Sequence, residues 1–360
     1  MKRIALLATA LALLASPFAH GADKMDPQLK EKARRAIDAG LHYLRGAQSE
    51  NGSLSGSVGI TALSLRAFLE SHRGYNESDG AFITKQVDFI LSKVNDDGSI
   101  SESLQNRSYN TAVALVGLAA AKNPKYAKVI EGGQNFLTGH QIDEKEGYSR
   151  DHRYYGGIGY GGDERPDMSN TYLALEGLKA SAEDPNDPVW KRALVFVDRS
   201  QNRSESNDQP WAGNDGGFIY MPGWNPPEFG EGTKSYGGMT AAGLISLLFA
   251  GVDKSDPRIQ DAYKWITTNY TLENNPGTDT KHGLFYFYNA FAKVMAAYGD
   301  VEFTDGKGQV HNWRNELAQK LLSLQNPDGS WVNKDSNKWW ENNPHLVTAW
   351  TVIALEQAVR

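Results

Sequence analysis

Asp167-Met168-Ser169-Asn170-Thr171-Tyr172-Leu173-Ala174-Leu175 sets polar residues before a threonine and an apolar run behind it. The same unit recurs as Gly59-Ile60-Thr61-Ala62-Leu63-Ser64-Leu65 and Tyr109-Asn110-Thr111-Ala112-Val113-Ala114-Leu115. It returns as Gly238-Met239-Thr240-Ala241-Ala242-Gly243-Leu244 and Leu346-Val347-Thr348-Ala349-Trp350-Thr351-Val352. These threonines lie 50, 60, 69 and 108 residues apart, and Tyr286-Phe287-Tyr288-Asn289-Ala290-Phe291-Ala292 sits in the long gap as a degenerate copy. Self-similarity at such a period marks a repeat architecture, here of six copies.

Each copy reads as two helices. The first of each pair is expected over Ala33 to Ala47, Thr84 to Lys93, Ile130 to Gly139, Trp190 to Arg199, Ile259 to Asn269 and Trp313 to Leu324. Their apolar residues fall at helical spacing, as Ile37, Leu41 and Leu44 do, which suits an outer layer. The second helices begin at the threonine units and are apolar all round, which suits an inner, buried layer. Six such pairs closed on themselves make an all-α fold, an α/α toroid of inner and outer rings; an open superhelix of helix pairs is the alternative. A threonine before an apolar run reads as an N-cap, at Thr61, Thr111 and Thr348. Asn51-Gly52-Ser53, Asp97-Gly98-Ser99, Asp215-Gly216-Gly217 and Asp328-Gly329-Ser330 are turn chemistry between the paired helices.

The first 21 residues are expected to be a signal peptide. Lys2 and Arg3 precede the apolar run Ile4 to Leu14, and Ala19 and Gly21 place small residues before a cut after Gly21. That run is too short to span a bilayer, which takes roughly 20 residues. Residues 22–360 then form one domain of six repeats, in the periplasm or outside the cell. The chain has no cysteine, which removes disulfides, thiol nucleophiles and thiolate metal sites. Losing Lys2 and Arg3 takes the formal charge from −6 to −8 and leaves no basic run. Nucleic acid is therefore not an expected partner, while association with a membrane surface stays open. Among 16 Tyr and 9 Trp, many fall in loops, where packing alone does not demand them.

Gln325-Asn326-Pro327-Asp328-Gly329-Ser330-Trp331 resembles the Gln-x-x-x-Gly-x-Trp repeat of squalene cyclases and protein prenyltransferase β subunits. Gln48 with Gly52, Gln141 with Gly147, and Gln201 with Gly216 are weaker copies. The resemblance covers nearly the whole chain after the leader and implies the toroid. It implies activity less firmly, because one fold hosts several chemistries. The cyclases it resembles carry Asp-x-Asp-Asp-Thr-Ala at the head of an inner helix, the middle Asp being the acid. Laid on Thr171, that acid falls on Ser169 and the next Asp on Asn170, with only Asp167 matching. A hydroxyl and an amide cannot protonate an alkene. The prenyltransferases bind zinc through Asp, Cys and His; Asp279, His282 and His345 offer no cysteine, so neither metal nor cofactor is expected.

The most distinctive polar stretch, Tyr154 to Asp167, brings three tyrosines and three carboxylates to the third inner helix. Either Asp167 caps that helix, or Asp163 and Asp167 act as acids at the mouth of the ring. A long insert from Trp211 to Tyr236 and the run Trp331 to Glu341 add aromatic loops too apolar to be disordered. The expected binding set is Tyr155, Tyr160, Trp211, Asp215, Tyr220, Trp224, Tyr236, His282, Tyr286 and Trp339. Such walls suit a small hydrophobic, terpenoid or polyprenyl ligand, with cyclase- or transferase-like activity left open. They also suit sugar rings, in which case paired acids among Asp163, Asp167, Asp215, Glu228 and Glu231 would serve a hydrolase or lyase. A ring with a filled core would be a non-catalytic scaffold.

Overall fold

Asp-Pro or Asn-Pro pairs at Asp26, Asp187, Asp256 and Asn343 start four of the helices earlier than the apolar periodicity alone indicates. The computed structural model describes residues 24–161, 165–229 and 232–360. The leader and its cut after Gly21, Asp163 and Glu231 lie outside them. The outer helices are α1 (Pro27–Gly46), α3 (Ala81–Leu91), α5 (Ala127–Gly139), α7 (Pro188–Ser200), α9 (Pro257–Thr268) and α11 (Trp313–Leu324). The inner helices are α2 (Val58–Leu69), α4 (Arg107–Ala120), α6 (Met168–Ala180), α8 (Gly237–Phe249), α10 (Leu284–Tyr298) and α12 (Pro344–Val359). Asp26, Asp187 and Asp256 each accept a hydrogen bond from an amide of the first turn that follows, with proline directly behind them. Proline there has no amide to leave unsatisfied and its φ is already helical.

Each inner helix packs on the next, α2 to α4 and onward to α10 and α12, and α12 returns to α2. This closes an α/α toroid. Helix α1 lies against α12, so the first outer helix covers the last inner one. The seam is stitched by polar contacts: the Arg360 guanidinium donates to the Glu70 carbonyl, and Glu356 accepts from the His72 amide at 2.8 Å. The inner helices are buried on nearly every side, and α12 exposes little beyond its ends. A short hairpin, β1 (Glu302–Thr304) and β2 (Val310–Asn312), links the fifth and sixth pairs. The sequence reading did not anticipate it.

The recurring residues turn out to fix one contact, written five times. The threonines are not N-caps. Those positions go to Ser57, Asn106 and Asn343, and Thr61, Thr111 and Thr348 lie about one turn inside their helices. Each threonine hydroxyl instead accepts an amide of the preceding turn: Leu54 to Thr61, Ile100 to Thr111, Ile158 to Thr171, Phe218 to Thr240 and Trp331 to Thr348, at 2.9–3.0 Å. Each of these amides is buried and would be costly to leave unmatched. In the degenerate copy Tyr288, buried, takes the threonine's place, and its hydroxyl donates to the Leu272 carbonyl of the preceding loop.

The glutamines reach outwards. Gln48, Gln141, Gln201 and Gln325 donate to the carbonyls of Phe82, Val189, Arg258 and Ala36, each on the next outer helix round the ring. A glycine in the turn that follows lets it approach the same neighbour; after Gln141 that glycine is Gly156, not Gly147, which has no atom within 4 Å of an added Cβ. At Gly156 the backbone takes φ +85°, and an added Cβ would stand 1.8 Å from the Arg192 carbonyl oxygen. Gly329 touches Ala39 of α1 in the same way, so the sixth copy of the motif closes the ring onto the first.

Candidate functional site

All six inner helices run the same way, and their first turns meet around one cavity of about 350 Å³. Ile60 of α2, Tyr109 of α4, Ser169 of α6, Met239 of α8, Tyr286 of α10 and Trp350 of α12 form its inner wall. Loops ahead of those helices add Glu102, Tyr160, Tyr220, Phe229, Tyr236, Asn275, Trp339 and Trp340. Nine aromatic rings therefore share this wall.

Helix N-termini leave amides unpaired, and here neighbouring hairpins satisfy them. Glu102 accepts from the Val58 amide and Asn110 from the Gly59 amide, both at 3.1 Å. Asn275 accepts from Gly238 at 2.9 Å. The Met168 amide donates to the Tyr220 carbonyl at 2.7 Å. Gly283 gives α10 no side-chain cap. Glu341, wholly buried, supplies one from the sixth hairpin by accepting from the Leu284 and Tyr286 amides. Burial pushes its carboxyl up to about 7, against those amides and the Asn333 side chain.

Asp167 caps α6. Its carboxylate accepts the Asn170 amide at 2.8 Å and the Asn170 side chain at 2.6 Å, and the Tyr220 hydroxyl donates towards it from the cavity wall. Burial pushes its carboxyl up to about 6, further than these donors pull it down. The two readings of Asp167 are thus joined: it is a cap, and it stands directly behind a wall tyrosine. An aspartate with a folded pKa above its ordinary 3.8 stabilises the fold fully below that value and loses this as pH rises through 6. Asp167→Asn keeps the acceptor for the Asn170 amide and should remove this dependence. Between pH 4 and 8, the urea midpoint of the native chain should fall more than that of the variant. Parallel curves would show that Asp167 carries no buried charge.

Of the binding residues expected from sequence, Tyr160, Tyr220, Tyr236, Tyr286 and Trp339 lie on the wall. Trp224 stands outside it, with its ring centroid 6.0 Å from that of Tyr220, and is 44% exposed. Tyr155 is turned away and donates to Glu144. Asp215 is engaged by the Gly217 amide and the Ser235 hydroxyl. His282 bonds Ser336, and Trp211 packs over Gly223. Asp163 lies outside the described residues. Phe229 and Trp340 belong to the aromatic loops expected to ring a pocket, but Tyr109, Trp350 and Glu102 were not singled out in the sequence. For Tyr109 and Trp350 a signal existed, since both sit within two residues of a repeat threonine. Among the described residues no group of three or more His, Asp or Glu is placed to hold a metal ion. No helix among them is long and apolar enough to cross a membrane.

The inserts of the fourth and sixth hairpins close over one side. Trp339 stacks on Phe229 at 5.1 Å between centroids and Phe229 on Tyr236 at 4.1 Å, while Lys338 pairs with Glu228. Trp339 and Trp340 take φ of 49° and 63°, a conformation that costs a bulky residue of order 1–2 kcal/mol. Two consecutive tryptophans held in this way show that the loop's shape is imposed by its surroundings.

Below the wall the axis is shut. Glu176 of α6 accepts from Arg66 of α2 at 2.8 Å and from Lys293 of α10 at 2.9 Å, and Lys293 also donates to the Tyr172 hydroxyl at 2.8 Å. Helices α2, α6 and α10 are alternate members of the ring, so these side chains meet only across its centre. The Tyr172 ring then stands edge-on to Tyr286, 6.5 Å away.

No protein-family model matches the sequence, and no curated protein matches it. Solved structures do. A type II terpene cyclase, MstE from Scytonema, without ligand is 13% identical, with a TM-score of 0.56 and coverage of 91% of this chain and 99% of that one. A variant of that cyclase with its product, merosterolic acid A, gives 14% identity, a TM-score of 0.55 and coverage of 92% and 98%. Another with its substrate, geranylgeranyl dihydroxybenzoate, gives 13%, 0.55, 92% and 99%. A likeness this distant in sequence and this complete in length speaks for architecture: the chain has the α/α-toroid fold of the terpenoid cyclases.

Proposed function

We propose that this chain binds a small, largely apolar ligand of isoprenoid type in the cavity at the inner-helix N-termini. One observation carries the reading: about 350 Å³ is left open where nine aromatic rings converge. That volume falls within the ~300–1,000 Å³ usual for ligand pockets. A wall of rings with a single charged side chain, Glu102, favours an apolar body over a heavily hydroxylated one. The similar cyclase that was solved with a geranylgeranyl-bearing substrate supports the same class.

The function proposed is binding, not proton-initiated cyclisation. Protonating an alkene requires a strong acid facing the ligand. Glu102 on the wall already accepts from Val58 and Asn110. Asp167 stands behind Tyr220, and a carboxyl raised to about 6 is a weaker proton donor than an ordinary one. Sugar hydrolysis would need two facing carboxyls, and Asp215 and Glu228 are committed to Ser235 and Lys338. Export through the leader belongs to the same proposal, and N-terminal sequencing of secreted protein should begin at Ala22.

The test is titration with geraniol, farnesol and geranylgeraniol, read through tryptophan fluorescence, since Trp339, Trp340 and Trp350 line the cavity. Saturable quenching is expected. At a hundredfold excess over Kd it should come with about 2.7 kcal/mol of stabilisation. No saturable change with any of the three would sink the reading, and saturation by oligosaccharides instead would move it to sugars.

A further inference from the structure

We infer that the ligand of this cavity carries a positive organic charge, an alkylated ammonium group on an apolar body. The inference rests on the cavity being a ligand site and deepens that reading. It comes from the charges that surround the space. Among the described residues no lysine, arginine or histidine lines the wall, and its one charged member is Glu102. Two more carboxylates stand just behind it, Asp167 beneath Tyr220 and Glu341 beneath Leu284 and Tyr286. Among the described residues both are bonded to neutral donors only and neither has an ion pair.

The nearby cations are already matched. Lys338 pairs with Glu228, Lys281 with Asp335 and Arg107 with Asp97. The helix N-termini, which alone would draw an anion, are capped by neighbours. At α2, α6 and α10 the cap is a carboxyl oxygen set against the partial positive charge of roughly half a unit at the helix start. What remains facing the space is aromatic. The faces of tyrosine and tryptophan rings are electron-rich, and several converging on one point hold a desolvated cation better than a neutral group of equal size. Carboxylates buried without a cation are costly. A cationic ligand would supply the counter-charge that the chain itself does not.

The experiment compares three probes of one chain length, octyltrimethylammonium, 1-octanol and octanoate, by calorimetry on the folded protein. The ammonium should bind at least tenfold more tightly than the alcohol, and octanoate should be the weakest. Glu102→Gln should shrink the ammonium-to-alcohol ratio severalfold, as should Tyr286→Leu, which removes a ring and not a charge. Melting curves identify any variant that fails to fold, and the native chain alone decides the order of the probes. Octanol equal to or tighter than the ammonium would overturn the inference and leave the apolar cavity reading standing. Octanoate tightest would overturn it as well. Binding of none of the three, with prenyl alcohols also silent, would remove both.

Discussion

Glu176→Ala should destabilise the protein by about 3–5 kcal/mol, because it leaves two cations buried at the ring's centre without their shared partner. Arg66 and Lys293 both bond this carboxylate, and all three side chains are nearly inaccessible. For a chain of this size that corresponds to a fall in Tm on the order of 10 °C. The triple change Arg66→Met, Glu176→Leu and Lys293→Met removes the charges together and should recover most of the loss. An alanine variant that melts within 2–3 °C of the native chain would mean that water reaches the cluster.

The pH dependence has a definite sign. Burial alone would raise the Glu176 carboxyl, but Lys293 and Arg66 outweigh it and hold the group down to about 2 from 4.5. Its contribution is therefore complete above pH 4.5 and fades as pH falls towards 2. Lys293 behaves differently. Burial outweighs the pull of Glu176 and lowers the amine to about 8 from 10.5. The unfolded chain then binds more protons between those values, so stability should climb as pH rises from 8 to 10.5. Without Glu176 the climb should begin at lower pH, which urea titrations at pH 6, 8 and 10 would register.

Gly156→Ala is expected to be nearly as damaging, by about 3 kcal/mol or more from strain at positive φ together with a forced backbone shift. The added methyl would stand 1.8 Å from the Arg192 carbonyl, at φ +85°. Neither chain can give way cheaply, since Gln141 bonds both the Gly156 and Val189 carbonyls across the same seam. Gly232→Ala, also at positive φ but with no atom within 4 Å, isolates the conformational part and should cost only about 1–2 kcal/mol. Equal urea midpoints for the two variants would show that the packing between the third and fourth hairpins is loose.

The sequence announced the ring because the ring repeats a single contact. Threonine, glutamine and glycine each recur where one turn meets one neighbouring helix, and five copies make a pattern that no single turn would. The threonine's role was misread because a hydroxyl near a helix start suits a cap, while its true partner, a loop amide 7 to 22 residues upstream, has no local signature. The caps supplied by Glu341, Asn275 and Glu102 were hidden for the same reason: they join residues 37 to 57 apart.

The central cluster did leave a trace. Arg66 and Glu176 each lie five residues after their repeat threonine, and Lys293 lies five after Tyr288. Three charges thus stand at one height in otherwise apolar helices, while Val116, Ile245 and Ile353 hold the corresponding places on the other three. The cavity was less legible. Its wall is half first-turn residues and half loop residues, and which loop aromatics turn inwards is decided by stacking such as that of Trp339 on Phe229.

An open row of helix pairs can gain or lose a member at its end and keep every remaining contact. A row whose last pair rests on its first has no end to extend. A seventh hairpin would have to part α1 from α12 and widen the bore, pulling Arg66, Glu176 and Lys293 beyond one another's reach. The number six and the width of the chamber are therefore one quantity, and duplication of a hairpin, the usual way such arrays grow, is closed to this one.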